Sequence, residues 1–128
     1  MQAEIMTIQI VDTASVFQKA PKPEALEKLY TYRRSSEVAE FLKVHPFLVP
    51  LLVEAYTQIG NCFGSQTDVV LEVVRDPEVR TAVEIFGYII STLTPDEAGR
   101  RLQQFDRNWF LKQLSRTKGL LNFDVEFR

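Results

Sequence analysis

The chain has 128 residues and a mass of 14.8 kDa, with 45% hydrophobic and 25% charged residues and a formal net charge of -2 at pH 7. A chain of this length buries about two thirds of the surface that it exposes when unfolded, so a single domain is expected. The composition is typical of a globular protein and argues against disordered and fibrous classes. The slight negative charge provides no overall field for gripping nucleic acid or an anionic membrane.

Cysteine content and hydropathy give the expected compartment. Cys62 is the only cysteine, which excludes an intrachain disulfide and gives no reason to expect export. The N-terminus carries Glu4 and no basic region, and the apolar run from Pro46 to Val53 is much shorter than the roughly 20 residues of a membrane-spanning helix. We therefore expect a cytoplasmic protein without a signal peptide, a membrane anchor or a membrane partner.

Residues 1–22 are expected to form an arm or short strand that precedes a single domain over 23–128. The segment from Ile5 to Val11 is rich in β-branched residues and roughly alternating, which favours an extended structure. Pro21 and Pro23 interrupt whatever precedes them. Three alternatives remain open: the arm closes an edge of its own sheet, docks on a partner, or stays loosely held.

The next part of the chain predicts three helices. The first begins at Pro23, where the missing proline N–H is harmless, and runs to near Arg33. The second is capped by Ser35 or Ser36 and stops at His45-Pro46. The third follows at once, and its apolar spacing is typical of an amphipathic helix. Its predicted buried stripe is Leu48, Leu51, Leu52, Ala55 and Ile59.

Two strands are predicted after these helices. The segment from Val69 to Val74 is short and β-branched, and Asp76-Pro77 ends it. The segment from Glu84 to Ile90 is apolar on both faces, which is typical of a central strand buried on both sides. The short connection between them favours an antiparallel hairpin.

A helix and a final strand complete the predicted fold. Thr94, Pro95 and Glu97 have the spacing of a capping box. The helix that they open should bury the stripe Ala98, Leu102, Phe105 and Trp109. The alternating segment from Leu121 to Phe127 predicts a strand. The order of three N-terminal helices, a β-hairpin, an amphipathic helix and a C-terminal strand predicts an α+β fold with a small mixed or antiparallel sheet.

The end of the amphipathic helix supplies the candidate interface. The candidate residues are Asp106, Arg107, Phe110, Leu111 and Leu114. The three apolar members project away from the stripe that ends at Trp109. Either the helix ends or bends and tucks them into the core, or they form an apolar patch that another subunit or partner buries. The neighbouring acidic and basic pair could act as a recognition pair, since arginine and aromatic residues are over-represented at interface hot spots.

The chain offers few groups able to perform catalysis. Cys62 has no cation near it in the sequence that would lower its pKa, so an inert buried thiol is expected. His45 is the only histidine and cannot build a multi-histidine metal site. We expect no catalytic residues, no cofactor and no metal.

Two alternatives use charged residues. A small hydrolase or nuclease could use grouped acids, of which the pairs Asp76 with Glu78 and Asp124 with Glu126 are the candidates. A weak nucleic-acid-binding protein could use the basic segment 100–118, whose candidate contact residues are Arg100, Arg101 and Arg107. The acidic charge of the whole chain argues against the second alternative.

Several segments resemble those of a known family. They are His45 to Leu52, Glu54 to Tyr56, Val69 to Pro77, Glu84 to Ile89, Thr94 to Ala98, Phe105 to Trp109 and Asp124 to Phe127. Over roughly residues 36–128 the chain resembles a family of small bacterial proteins, common in cyanobacteria, that has no assigned activity. The resemblance supports the fold more than a function. Because the chain is small and lacks catalytic residues, we also expect that such a protein acts as the partner or antitoxin half of a two-gene module.

These observations favour a non-enzymatic protein–protein interaction module. Its partner would be another protein or a second copy of the chain, joined through the apolar surface near Phe110 and Leu114 or through the N-terminal arm.

Overall fold

The computed structural model describes residues 22–79 and 82–128. Its elements are a first 3-10 helix (Pro23–Lys28), β1 (Thr31–Tyr32), α1 (Ser35–Val44), α2 (Leu48–Phe63), β2 (Val69–Arg75), β3 (Val83–Ser91), α3 (Pro95–Asn108), a second 3-10 helix (Phe110–Gln113), α4 (Leu114–Thr117) and β4 (Leu121–Phe127). The predicted α+β class is confirmed. The strand or arm predicted over 1–22 lies outside the described residues, apart from Lys22.

The four strands form one mixed sheet in the order β1-β2-β3-β4. β2 and β3 pair antiparallel, as the predicted hairpin requires. β1 runs parallel to β2, and β4 runs parallel to β3. Two parallel strands need a crossover connection, and α3 provides it between β3 and β4. Of the two sheet types that the sequence left open, the structure therefore has the mixed one.

The hydrophobic core lies between the helices and one face of the sheet. Its strand residues are Val69, Leu71, Val73, Ile85, Ile89, Leu121 and Phe123. Because successive side chains of a strand point to opposite faces, these residues all belong to one face. The described helices supply the other half of the core, with Leu42, Leu52 and Phe105 fully buried. The helices thus pack on one side of the sheet.

The first predicted helix is much shorter than expected. The 3-10 helix ends at Lys28, and the chain then forms β1 instead of continuing as a helix to Arg33. Long-range contacts favour this path: the Tyr30 hydroxyl donates to the Leu52 carbonyl oxygen at 2.6 Å, and the Arg33 N–H donates to the Leu71 carbonyl oxygen at 2.9 Å. A strand of two residues has no pattern of its own that a sequence could reveal.

The predicted start of α3 is confirmed. The Thr94 hydroxyl oxygen accepts a hydrogen bond from the Glu97 N–H at 3.2 Å, which satisfies a backbone donor of the first turn. In the predicted stripe Ala98, Phe105 and Trp109 are buried and Leu102 is partly buried. The helical spacing therefore identified the face that packs on the core.

Candidate functional site

The central strand β3 turns three large apolar side chains away from the helices. Phe86, Tyr88 and Ile90 are each partly exposed, and none belongs to the core that joins sheet and helices. The rings of Phe86 and Tyr88 stack, with centroids 5.5 Å apart and planes at 15°. The prediction that β3 is buried on both sides is therefore wrong, because within residues 22–79 and 82–128 no helix packs over this side.

We call this side of the sheet the open face. It comprises Val70, Glu72 and Val74 of β2, Glu84, Phe86, Tyr88 and Ile90 of β3, and Asn122, Asp124 and Glu126 of β4. Of these residues Val70 is buried, and the others are partly or fully exposed. In the sheet register Glu72 and Asn122 lie on either side of Phe86, and Asp124 lies beside Tyr88. The open face is thus an apolar and aromatic stripe with acidic side chains on both flanks.

Arg33 crosses the open face. Its guanidinium donates to Glu72 on β2 at 3.0 Å and forms two hydrogen bonds of 3.1 and 3.0 Å to the Glu126 carboxylate on β4. Its central carbon lies 5.7 Å from the ring centroid of Tyr88 on the intervening strand, within the range of a cation–π contact. The hydrogen bonds from Arg33 are the main reason why the pKa of Glu126 is lowered. Arg33 therefore ties the two outer sides of the open face together across β3.

The carboxylates of the open face are unequally neutralised. Arg33 and Arg34 both pair with Glu72, and Arg33 and Arg128 both pair with Glu126. No described residue forms an ion pair with Glu84 or Asp124. Among the described residues, Glu84 and Asp124 are therefore the carboxylates of the open face that have no ion-pair partner.

The pKa of Tyr88 also responds to the charges around it. Burial is the largest cause of the raised pKa of Tyr88, followed by repulsion from the negative charges of Glu72 and Asp124. Arg33 acts in the opposite direction without reversing the shift. The nearby carboxylates therefore oppose ionisation of Tyr88 more than Arg33 favours it.

Within the described residues β4 is an edge strand of the sheet, and two of its backbone donors are satisfied by side chains of the same strand. Asn122 accepts a hydrogen bond from the Phe123 N–H at 2.9 Å, and Asp124 accepts one from the Val125 N–H at 2.8 Å, each through Oδ1. The Arg128 N–H donates to β3, so the odd-numbered residues of β4 direct their backbone groups away from β3. These side chains satisfy edge donors that would otherwise invite another strand.

The candidate interface residues at the end of α3 separate in the structure. The chain bends after Asn108, which places Phe110 in the core at 5% exposure and leaves Leu111 and Leu114 at 54% and 48%. The Phe110 ring packs edge-on against Phe123 at 5.2 Å. Of the two predicted alternatives, burial in the core therefore applies to Phe110, whereas Leu111 and Leu114 lie at the surface.

The polar members of that set lie on the last turns of α3. Asp106 is partly buried, and burial raises the pKa of its carboxyl. Arg107 is exposed. Neither forms an ion pair with a described residue. Among the described residues, both side chains are therefore without an ion-pair partner.

The basic candidate residues are partly neutralised within α3. Glu97 pairs with Arg100 at 2.6 Å and with Arg101 at 3.0 Å. Arg101 also lies 3.5 Å from the carbonyl oxygen of Cys62 on α2. One carboxylate thus offsets part of the positive charge that would face a nucleic acid.

The other residues considered for catalysis or metal binding, Cys62, His45 and Asp76, have contacts that explain them as parts of the fold. Cys62 is buried, and desolvation raises the pKa of its thiol. The His45 ring packs near Phe41 at 4.6 Å and Phe47 at 6.0 Å. The Asp76 carboxylate accepts a hydrogen bond from the N–H of Glu78 at 2.8 Å, which closes a turn. Each of these groups therefore has a local role in packing or turn formation.

The described part of the chain, 22–79 and 82–128, has no group of three or more histidine, cysteine, aspartate or glutamate residues arranged to hold a metal ion. Within the same ranges no helix combines the length and apolar character of a membrane span. Compared with known proteins, the chain matches no family model, no curated protein and no solved structure. The geometry of the described residues is therefore the basis for a functional proposal.

Proposed function

We propose that the protein is a non-enzymatic interaction module that binds another protein through the open face. The observation that carries this proposal is the position of Phe86, Tyr88 and Ile90 on the central strand with no described helix over them. A solvated sheet face normally alternates with polar residues, whereas these outward positions are apolar. Binding of a partner that removes them from water is favoured by roughly 25 cal/mol of free energy for each Å² of apolar surface buried.

The arrangement of side chains supports this proposal. Interfaces have an apolar centre rich in aromatic residues and a polar rim that stays near water. Phe86 and Tyr88 occupy the centre of the open face, while Glu84, Asn122 and Asp124 lie around them. Aromatic and arginine side chains contribute a large share of the binding energy of interfaces, and Arg33 adds an arginine to the aromatic residues of the open face.

The open face is also held in shape before a partner arrives. Arg33 connects β2 and β4 through Glu72 and Glu126, and Phe86 stacks on Tyr88. Ordering flexible side chains costs free energy on association, so a surface that is already ordered binds with less loss. The sequence did not reveal this network, because its members lie up to 93 positions apart.

The partner is another protein or a second copy of the chain. The role of a partner or antitoxin half of a two-gene module falls within this proposal. Leu111 and Leu114 form a second, smaller apolar surface on the helical side of the molecule. Their exposure favours a subsidiary contact there, made by two aliphatic side chains and not by stacked aromatic rings as on the open face.

Photo-crosslinking in the cell tests the proposal. The variant carries p-benzoylphenylalanine in place of Phe86, a substitution that keeps an aromatic ring at the centre of the open face. The matched control carries it in place of Gln103, which is exposed on α3. We expect a protein adduct from position 86 and none from position 103, with the adduct mass distinguishing a second copy from another protein. Absence of any adduct at position 86 in a folded variant would overturn the proposal.

A further inference from the structure

We propose that the segment that docks on the open face is short and positively charged, and that it stacks an arginine side chain on Phe86 beside Asp124. This inference rests on the proposed function and specifies the chemistry of the partner. It follows from an arrangement that the protein already contains, from the unpaired charge of the open face and from its size.

The open face already holds one arginine side chain of its own chain, Arg33. Its guanidinium lies over Tyr88 while Glu72 and Glu126 accept its hydrogen bonds. Phe86 is the next ring in the same stack, 5.5 Å from Tyr88, yet no described cation lies over it. A guanidinium from a partner would therefore repeat beside Phe86 the contact that Arg33 makes with Tyr88.

Asp124 supplies the carboxylate for that guanidinium. It lies opposite Tyr88 in the parallel register of β3 and β4, so it is the diagonal neighbour of Phe86, at roughly 8 Å between Cα atoms from the strand spacing and rise. One of its oxygens accepts the Val125 N–H, and the other has no described hydrogen-bond donor. An arginine side chain on Phe86 is long enough to reach that oxygen.

Charge selects the kind of segment. Glu84 and Asp124 leave negative charge on the open face, so a basic segment is attracted and an acidic one repelled. A second copy would bring the same unpaired carboxylates toward their counterparts. The electrostatics therefore disfavour face-to-face pairing of two copies.

The size of the open face leads to the same conclusion. The three strands that form the open face, β2, β3 and β4, lie about 4.8 Å apart and are at least seven residues long at about 3.3 Å per residue, which gives a face of roughly 330 Å² in projection. Each partner of a standard interface buries about 800 Å², and obligate dimers bury more. A segment of about six extended residues, roughly 20 Å long, spans the strands of the open face.

The test is a titration of the full chain, labelled with ¹⁵N, with two synthetic octapeptides. The probe alternates arginine and valine, and its matched control has citrulline, which is uncharged and of the same shape, at every arginine position. We expect the probe to shift the amide signals of Phe86, Tyr88 and Asp124, and its affinity to fall as salt is added. The citrulline peptide should bind more weakly by a factor of about two to five for each exposed ion pair lost.

Variants locate the contact. Asp124→Asn and Phe86→Leu should each weaken the probe about two- to fivefold, because each removes one of the two proposed contacts. Glu40→Gln is the matched control, since Glu40 is an exposed acid on α1. It should leave the affinity unchanged. Equal weakening by Glu40→Gln would show attraction to the overall charge and overturn the inference.

The outcomes separate this inference from the proposed function. Equal binding of the two peptides at the open face would overturn the charge requirement and leave the interaction module standing. A dimer in light scattering whose interface includes Phe86 would make a second copy the occupant and overturn the inference alone. No peptide effect together with no adduct at position 86 would overturn both.

Discussion

The ring of Phe123 on β4 lies directly over Gly87 on β3. A Cβ atom at Gly87 would be only 2.7 Å from two carbons of that ring, and the two residues are direct partners in the sheet register. Phe105 and Phe110 each pack edge-on against the same ring at 5.2 Å. The aromatic cluster under the sheet thus depends on a position that has no side chain.

Gly87→Ala should destabilise the protein by about 1–3 kcal/mol, the typical cost of overpacking a core. The ring of Phe123 cannot move aside easily because other rings hold it. Urea unfolding at neutral pH measures the loss. The matched control is Gly99→Ala on α3, where an added Cβ meets no atom within 4 Å and where alanine should add about 0.5–1 kcal/mol. A Gly87→Ala variant as stable as the wild type would contradict this packing.

Glu126→Gln should lower stability at neutral pH and much less in acid. Hydrogen bonds from Arg33 hold the pKa of Glu126 below its usual value of 4.5. A carboxyl with a lowered folded-state pKa stabilises the fold above its unfolded-state pKa, and this contribution disappears as the pH falls through the folded-state value. The difference in unfolding free energy between variant and wild type should therefore shrink on acidification below about pH 4.5. A difference independent of pH would contradict the role given to Arg33.

Asp106→Asn should not lower the stability of the folded protein at neutral pH, in contrast to Glu126→Gln. Burial raises the pKa of Asp106 above its usual value of 3.8, so its ionised form is disfavoured in the folded protein. This penalty is fully present above the folded-state pKa and is absent below the unfolded-state value. The variant should therefore be at least as stable as the wild type at pH 7, with the advantage lost in acid. Thermal unfolding across the pH range tests this, and a marked loss of stability at pH 7 would show an unrecognised partner for the carboxylate.

Elements with a strong local pattern could be predicted from the sequence. The hairpin followed from two β-branched runs with a turn between them, and α3 followed from the cap at Thr94 and the stripe that includes Phe105. Neighbouring residues determine these features. The mixed sheet depends on the order in which distant strands pair, so the sequence left its type open.

The candidate site could not be predicted in the same way. The apolar residues on both sides of β3 were interpreted as a strand covered on both faces, since periodicity cannot show whether a cover exists. Arg33 meets Glu126 across 93 positions of sequence, and β1 has only two residues. After the bend at Asn108 a 3-10 helix buries Phe110 and exposes Leu111, and helical spacing alone does not determine which of the two enters the core.

Cys62 should react slowly with Ellman's reagent in the folded protein. The side chain is buried, and desolvation raises the pKa of the thiol, so little thiolate is available at neutral pH. In guanidinium chloride the reaction should become fast, which provides the control on reagent and thiol. Fast reaction in the folded state would indicate an accessible thiolate and contradict the expectation of an inert buried thiol.

The double substitution Leu111→Asp with Leu114→Asp distinguishes the two apolar surfaces. Both leucines are about half exposed, so the variant should remain folded, whereas Phe110→Asp places a charge in the core and should unfold the protein. Circular dichroism separates these outcomes. If binding occurs at the open face, the folded double variant should still form the adduct from position 86 and keep its mass in light scattering. Loss of the adduct in a folded double variant would show that the leucines of the second 3-10 helix and α4 contribute to the binding surface.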